Sequence, residues 1–187
     1  MTDSPTSGTT ATRFGSQFGG PAIAVSSGVG TGPTKIAAFD AALREAGVGN
    51  FNLILLSSVV PLGSVVTPVA RQAPVPEGAW GDRLYVVMAD CRVDTPHEEV
   101  WAGVGWIQEE ETGRGLLVEH VAHSEAQLVA DIESSLSSLG AGRPNVNFGP
   151  QRSMIRGTTC VDEPVCALVV AVVESAPWRA ADVIVLP

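Results

Sequence analysis

Two serines stand side by side at the end of an aliphatic run, in Asn50-Phe51-Asn52-Leu53-Ile54-Leu55-Leu56-Ser57-Ser58-Val59-Val60-Pro61. The run is too short for a membrane span and is bounded by turn formers, so it reads as a buried strand. Serine hydroxyls delivered into an interior without partners are costly. Either the backbone caps Ser57 and Ser58, as happens at many strand ends, or their hydroxyls are used in chemistry. A second candidate is Glu119, an ionisable residue in the otherwise apolar run Gly115-Leu116-Leu117-Val118-Glu119-His120-Val121. Alternation along a strand allows it to face solvent. Burial beside apolar neighbours would instead raise its pKa and make it a proton donor at neutral pH.

Other chemistry-bearing patterns carry less. Gly28-Val29-Gly30-Thr31-Gly32-Pro33-Thr34-Lys35 invites a phosphate-loop reading, but Pro33 and Thr34 separate Gly32 from Lys35. A phosphate loop needs Gly-Lys followed by Ser or Thr, so a glycine-rich turn into a helix is expected. His120 and His123 lie three apart in a strand-like run. They point to opposite faces and would not chelate together, so no metal is expected. Cys91, Cys160 and Cys166 are odd in number and set in apolar segments, which favours buried free thiols.

The succession Ala38-Phe39-Asp40, then Gly47-Val48-Gly49-Asn50, then Asn52-Leu53 leading into Leu56-Ser57-Ser58-Val59-Val60-Pro61 resembles the pyruvoyl-dependent arginine decarboxylases. The resemblance runs from about Gly28 to Val173 and includes the Gly-Leu-x-x-Glu setting of Glu119. It implies a proenzyme that cuts itself between Ser57 and Ser58 into a short upstream and a long downstream chain. Ser58 would attack the Ser57 carbonyl, and elimination followed by loss of ammonia would turn residue 58 into a covalent pyruvoyl group. Decarboxylating an amino acid leaves a carbanion that no ordinary side chain can delocalise, so an electron sink is required. The resemblance implies that the pyruvoyl group provides it, through a Schiff base with L-arginine that releases carbon dioxide and agmatine.

By the same resemblance, Glu119 protonates the carbanion and Asn52 lies near the pyruvoyl group. Asp40 meets the substrate guanidinium, which suits recognition of a planar cation. Leu43 lines the substrate's aliphatic stem, and Ser57 completes the substrate-binding set. Homotrimers or dimers of trimers, with active sites at subunit contacts, are implied as well. From the residues alone, Asp40 could equally sit on a solvated helix face or pair with Arg44 four residues on. Two rivals stand beside this reading: the same chemistry on another amino acid, and an uncleaved, non-catalytic trimeric scaffold.

The elements that must position these residues fit a chain of 187 residues with an apolar fraction of 45% and a net charge of −9. That length suits one well-buried core. The negative charge disfavours nucleic acid and anionic membranes as partners. No apolar run is long enough to span a membrane. The N-terminus lacks a secretory pattern, so a cytoplasmic protein is expected. Residues 1–20, rich in Ser, Thr and Gly, are expected as a disordered tail before a single domain over 21–187.

Thr34 and Ser124 are plausible N-caps of two amphipathic helices, ended near Gly47 and Gly140. Strand-like runs surround them at Pro21–Val25, Leu84–Asp90, Val100–Ile107, Gly115–Val121, Ser153–Val161 and Pro164–Val173. The last is almost wholly apolar and is expected at a sheet centre. Glu109 to Gly113 reads as an exposed hairpin loop. Arg71 to Gly81 reads as a loop in which Trp80 packs. Together these predict an α/β or α+β layered sandwich, with mixed and antiparallel sheets flanked by two main helices.

Overall fold

The computed structural model describes residues 19–69 and 78–178. Residues 1–18 of the expected disordered tail, most of the Arg71–Gly81 loop and the last nine residues lie outside them.

The architecture is a layered α+β sandwich, as the patterning predicts. Its centre is Val165–Ala176 (β9), in which Val165 to Val172 are all buried. β-branched residues fit a pleated surface packed on both faces. β9 is the middle strand of a five-stranded sheet. Ala22–Thr31 (β1) and Arg83–Val93 (β5) flank it antiparallel, and Asn52–Leu55 (β2) and Val65–Pro68 (β4) form the edges. A second sheet has the order β3-β7-β6-β8, built from Val59–Val60 (β3), Gly115–Ala122 (β7), Glu99–Gln108 (β6) and Arg152–Thr159 (β8). Its pairings are antiparallel throughout.

One helix covers each outer face. Lys35–Glu45 (α1) begins where the Thr34 side chain accepts from Ala37 N at 3.1 Å, and Gly47 follows its end at φ +82°. Glu125–Ala141 (α2) is capped by Ser124, which accepts from Gln127 N at 3.3 Å. α2 runs one residue past Gly140, to a cap at Gly142. Leu128, Ile132 and Leu136 of α2 pack on Ile107, Leu116 and Val118 of the four-stranded sheet. Ala38 and Ala42 of α1 pack on Leu84, Val86, Leu168 and Val170 of the five-stranded sheet. The core between the sheets holds Ile23, Val25, Val87, Val169 and Ala171 against Val60, Val104, Trp106 and Leu117.

The glycine-rich stretch is a strand where a turn is expected. Gly28 and Gly30 lie inside β1, directly beneath α1. A Cβ on Gly28 would lie 2.1 Å from Ala42 O, and one on Gly30 2.1 Å from Ala38 O. The glycines therefore let the helix backbone rest on the strand. Ser26 adds a buried bond from its hydroxyl to Ala46 O at 2.9 Å.

Three other expectations are corrected. β2 is an edge strand and not a buried one: Leu55 is 65% exposed. Trp80 stands 85% exposed instead of packing. Glu109 is buried, because Arg114 and Thr112 both turn back onto its carboxylate.

Candidate active site

β2 and β3 lie at edges of different sheets, and the serine pair joins them. Leu56 N donates to Val86 O at 2.9 Å, the last tie to the five-stranded sheet. Leu117 N donates to Ser58 O at 2.8 Å, the first tie to the four-stranded sheet. The Ser57–Ser58 peptide bond therefore spans the change of sheet. Ser58 takes φ +64° there. Such left-handed backbone in a residue with a Cβ costs on the order of 1–3 kcal/mol and persists only where both sides are pinned. Ser57 is exposed and Ser58 half-buried, so the pair stands at the surface of the sandwich and not in its interior.

The Ser58 hydroxyl donates to Glu119 Oε2 at 2.8 Å. β7 sets this contact. Leu117, which holds the Ser58 carbonyl, and Glu119 are two apart on one strand and share a face. Past Leu116 the short β3 ends, so β7 leaves Glu119 at an uncovered edge. Glu119 is accordingly exposed, and the apolar burial expected for a proton donor is not supplied by the chain's own residues. Beside the pair opens a groove of about 540 Å3, lined by Ser58, Glu119, His120, Ser135, Ser138 and Leu139 among others.

The remaining expected site residues lie elsewhere in the single chain. Asn52, at the start of β2, donates from Nδ2 to Gly81 O at 2.5 Å, and Trp178 Nε1 donates to the same carbonyl at 2.6 Å. Asp40 and Leu43 belong to α1, on the face of the five-stranded sheet turned away from the sheet that carries Glu119. Leu43 packs onto that outer core. Asp40 pairs with Arg44 at 3.0 Å, both exposed. One copy of the chain thus unites Ser57, Ser58 and Glu119, and separates Asp40 and Leu43 from them.

Sequence reasoning did not foresee the serine wall of α2. Ser134 and Ser138 lie one helical turn apart beside Ser135, and all three line the groove. Their spacing on an amphipathic helix was the available signal. His120 bonds Ser135 Oγ through Nε2 at 2.8 Å, while His123 meets Glu98 and the carbonyl of Glu99. No cluster of three or more potential metal-binding side chains occurs among the described residues. The three cysteines are free. Burial pushes the Cys166 thiol up to about 12 and raises that of half-buried Cys91, so neither is poised as a thiolate nucleophile.

A strained serine and a carboxylate stand at the mouth of a groove on a two-sheet sandwich: the Ser58 backbone oxygen is held by Leu117 N and its hydroxyl faces Glu119. The class is that of decarboxylases whose electron sink is a pyruvoyl group and not a dissociable cofactor. A family profile described as pyruvoyl-dependent arginine decarboxylase matches residues 22–173, and the chain belongs to that family. Among similar proteins, the pyruvoyl-dependent arginine decarboxylase of Halobacterium salinarum is 37% identical over 111 residues, covering 59% of this chain and 67% of that protein. That of Thermoplasma volcanium is 32% identical over 133 residues, 68% of this chain and 69% of the relative. That of Thermococcus kodakarensis is 27% identical over 141 residues, 75% and 87% respectively.

Proposed function

We propose that this chain is a self-cleaving proenzyme that decarboxylates L-arginine to agmatine and carbon dioxide. The observation that carries the reading is the left-handed Ser58, its hydroxyl on Glu119, at the point where the chain changes sheet.

In the precursor, Glu119 is placed to take the proton from Ser58 Oγ as that oxygen attacks the Ser57 carbonyl carbon. The Ser57–Ser58 amide becomes an ester, and the nitrogen of residue 58 becomes a free amine. Elimination releases Ser57 as a carboxylate at the end of the short chain. Water then displaces ammonia from residue 58. The strain at Ser58 favours the attack, because it is relieved when the amide breaks.

The pyruvoyl group supplies the electron sink that stabilises the substrate carbanion as carbon dioxide leaves. Glu119 Oε2 holds the proton delivered to the substrate α-carbon. Asp40 and Leu43 serve the site from the α1 of a second copy, which covers the uncovered edge of β7 and buries Glu119. A homotrimer or a pair of trimers provides that contact. The reading includes a cytoplasmic location. Among the described residues, no helix is long and apolar enough to cross a membrane.

Decarboxylation of a different amino acid is the second reading. It is favoured by the Asp40–Arg44 pair, which an incoming guanidinium has to displace. Two measurements on purified protein test the proposal together. Denatured mass should show two chains summing to the precursor plus water less ammonia. Product analysis with arginine, lysine and ornithine should then give agmatine alone. An uncut chain, or preference for another amino acid, rejects the corresponding half.

A further inference from the structure

The strip that follows the serine pair has few anchors of its own. Val59–Val60 makes a two-residue ladder with β7, and β4 has one neighbour in its sheet. Backbone bonds link Gly63 to Gly20 and Thr112 and Val65 to Pro21, and a side chain of β6 adds three more bonds across the seam. Gln108, the last residue of β6, accepts from Val66 N at 3.1 Å through Oε1. Its Nε2 donates to Ser64 O at 3.1 Å and to Gly113 O at 2.7 Å. A side-chain amide offers an acceptor and two donors at one tip, and Gln108 spends all three on backbone groups of two separate segments.

The surroundings are shaped for this contact. Gly115 lies opposite Gln108 in the β6–β7 ladder, and a Cβ there would stand 3.0 Å from Gln108 Cγ. Gly113 sits at φ +69°, and a Cβ on it would lie 2.5 Å from Ser64 O. Gly63 N donates to Thr112 O at 2.7 Å, closing the same seam. The 109–114 hairpin that presents these groups is locked from within. Arg114 meets the Glu109 carboxylate at 2.8 Å and 3.0 Å, and Thr112 Oγ1 donates to it at 2.5 Å.

We propose that Gln108 is a positioning residue for position 58. It clamps residues 64–66 to the 109–114 hairpin and thereby aims residue 58 at Glu119. The inference rests on the reading of Ser58 given above. Before the cut, residue 58 is held from both sides. After it, residue 58 is a chain end whose backbone is held by Leu117 N and by the strip that Gln108 braces. A reacting atom displaced by roughly 1 Å loses about 10²-fold in rate, so a loosened strip is felt in the chemistry before it is felt in the fold.

Two variants test this. Gln108→Glu keeps the volume and the acceptor for Val66 and removes the donors to Ser64 and Gly113. Gln108→Met removes all three bonds at similar length. Circular dichroism should stay native in both. Backbone amides of the 59–66 segment should exchange at least about tenfold faster, and self-cleavage or turnover per cleaved chain should fall at least about tenfold with KM little changed. Exchange within about twofold of the unaltered protein overturns the inference, and so do unchanged cleavage and turnover rates despite faster exchange. If the unaltered protein is itself uncut at Ser57–Ser58, the reading of Ser58 fails instead, while the exchange data still report on the brace.

Discussion

Ser58 Oγ and Glu119 Oε2 lie 2.8 Å apart, although sixty-one positions separate the two residues in the chain. The contact joins the residue just before β3 to β7 at the rim of one sheet. Both partners serve the proposed cut as well as turnover, so the two steps are separated by measuring cleavage on the precursor and kinetics on cleaved chains.

Ser58→Ala removes the nucleophile and the source of the pyruvoyl group together. A single uncut chain without decarboxylase activity is expected by denatured mass and by assay for released carbon dioxide. Normal cleavage of this variant would move the cut elsewhere.

Glu119→Gln keeps the size of the side chain and deletes its proton. Turnover should fall by about 10²-fold or more, in the range of general acid catalysis, while KM changes little. Steady-state kinetics on cleaved protein separate the two. An unchanged kcat removes Glu119 as the proton donor.

Asp40→Ala deletes a carboxylate that one chain leaves far from Ser58. If a neighbouring copy brings it to the guanidinium, arginine binding should weaken by roughly 10- to 100-fold, the worth of one charged hydrogen bond. Binding of an uncharged analogue should stay nearly constant. Equal losses for both ligands would make the residue structural. A companion measurement of mass in solution checks that the oligomer survives.

Gly30→Ala places a methyl 2.1 Å from the Ala38 carbonyl, where the α1 backbone cannot yield without lifting off β1. Overpacking of this kind costs about 1–3 kcal/mol, and thermal unfolding should fall by several degrees. A melting temperature equal to that of the unaltered protein would show that α1 does not rest on β1 as described.

The Arg114 guanidinium, with the Thr112 hydroxyl, holds the Glu109 carboxyl below the usual carboxylate range. A depressed carboxyl pKa stabilises the folded state above the unfolded carboxyl's pKa, and the contribution is lost as pH falls through the lower folded value. Arg114→Gln should therefore lower the melting temperature at neutral pH. The gap to the unaltered protein should close on acidification below about pH 4. A gap that stays constant with pH assigns the effect to packing.

Much of this was legible locally. Thr34 and Ser124 cap helices because a β-region residue with a short hydroxyl satisfies a free amide at the first turn, whatever the rest of the chain does. Val165 to Val172 had to be central, since a run with no polar face can only be covered on both sides. The adjacent serines and the lone glutamate in an apolar run could be picked out by residue type and spacing alone. Where each strand lies in a sheet is decided differently, by which faces find partners in three dimensions. An aliphatic run such as Leu53–Leu56 reads the same at an edge as in a centre, so only the strand order exposed Leu55 and brought the serines to the rim. Glu109 looked like a solvated turn residue until Arg114 and Thr112 closed on it. The sequence by itself determined the elements and the reactive residue types. The tertiary structure alone decided that Ser58 meets Glu119 and that Asp40 stands across a sheet from both, because long-range contacts follow from the packing of faces and not from any local period.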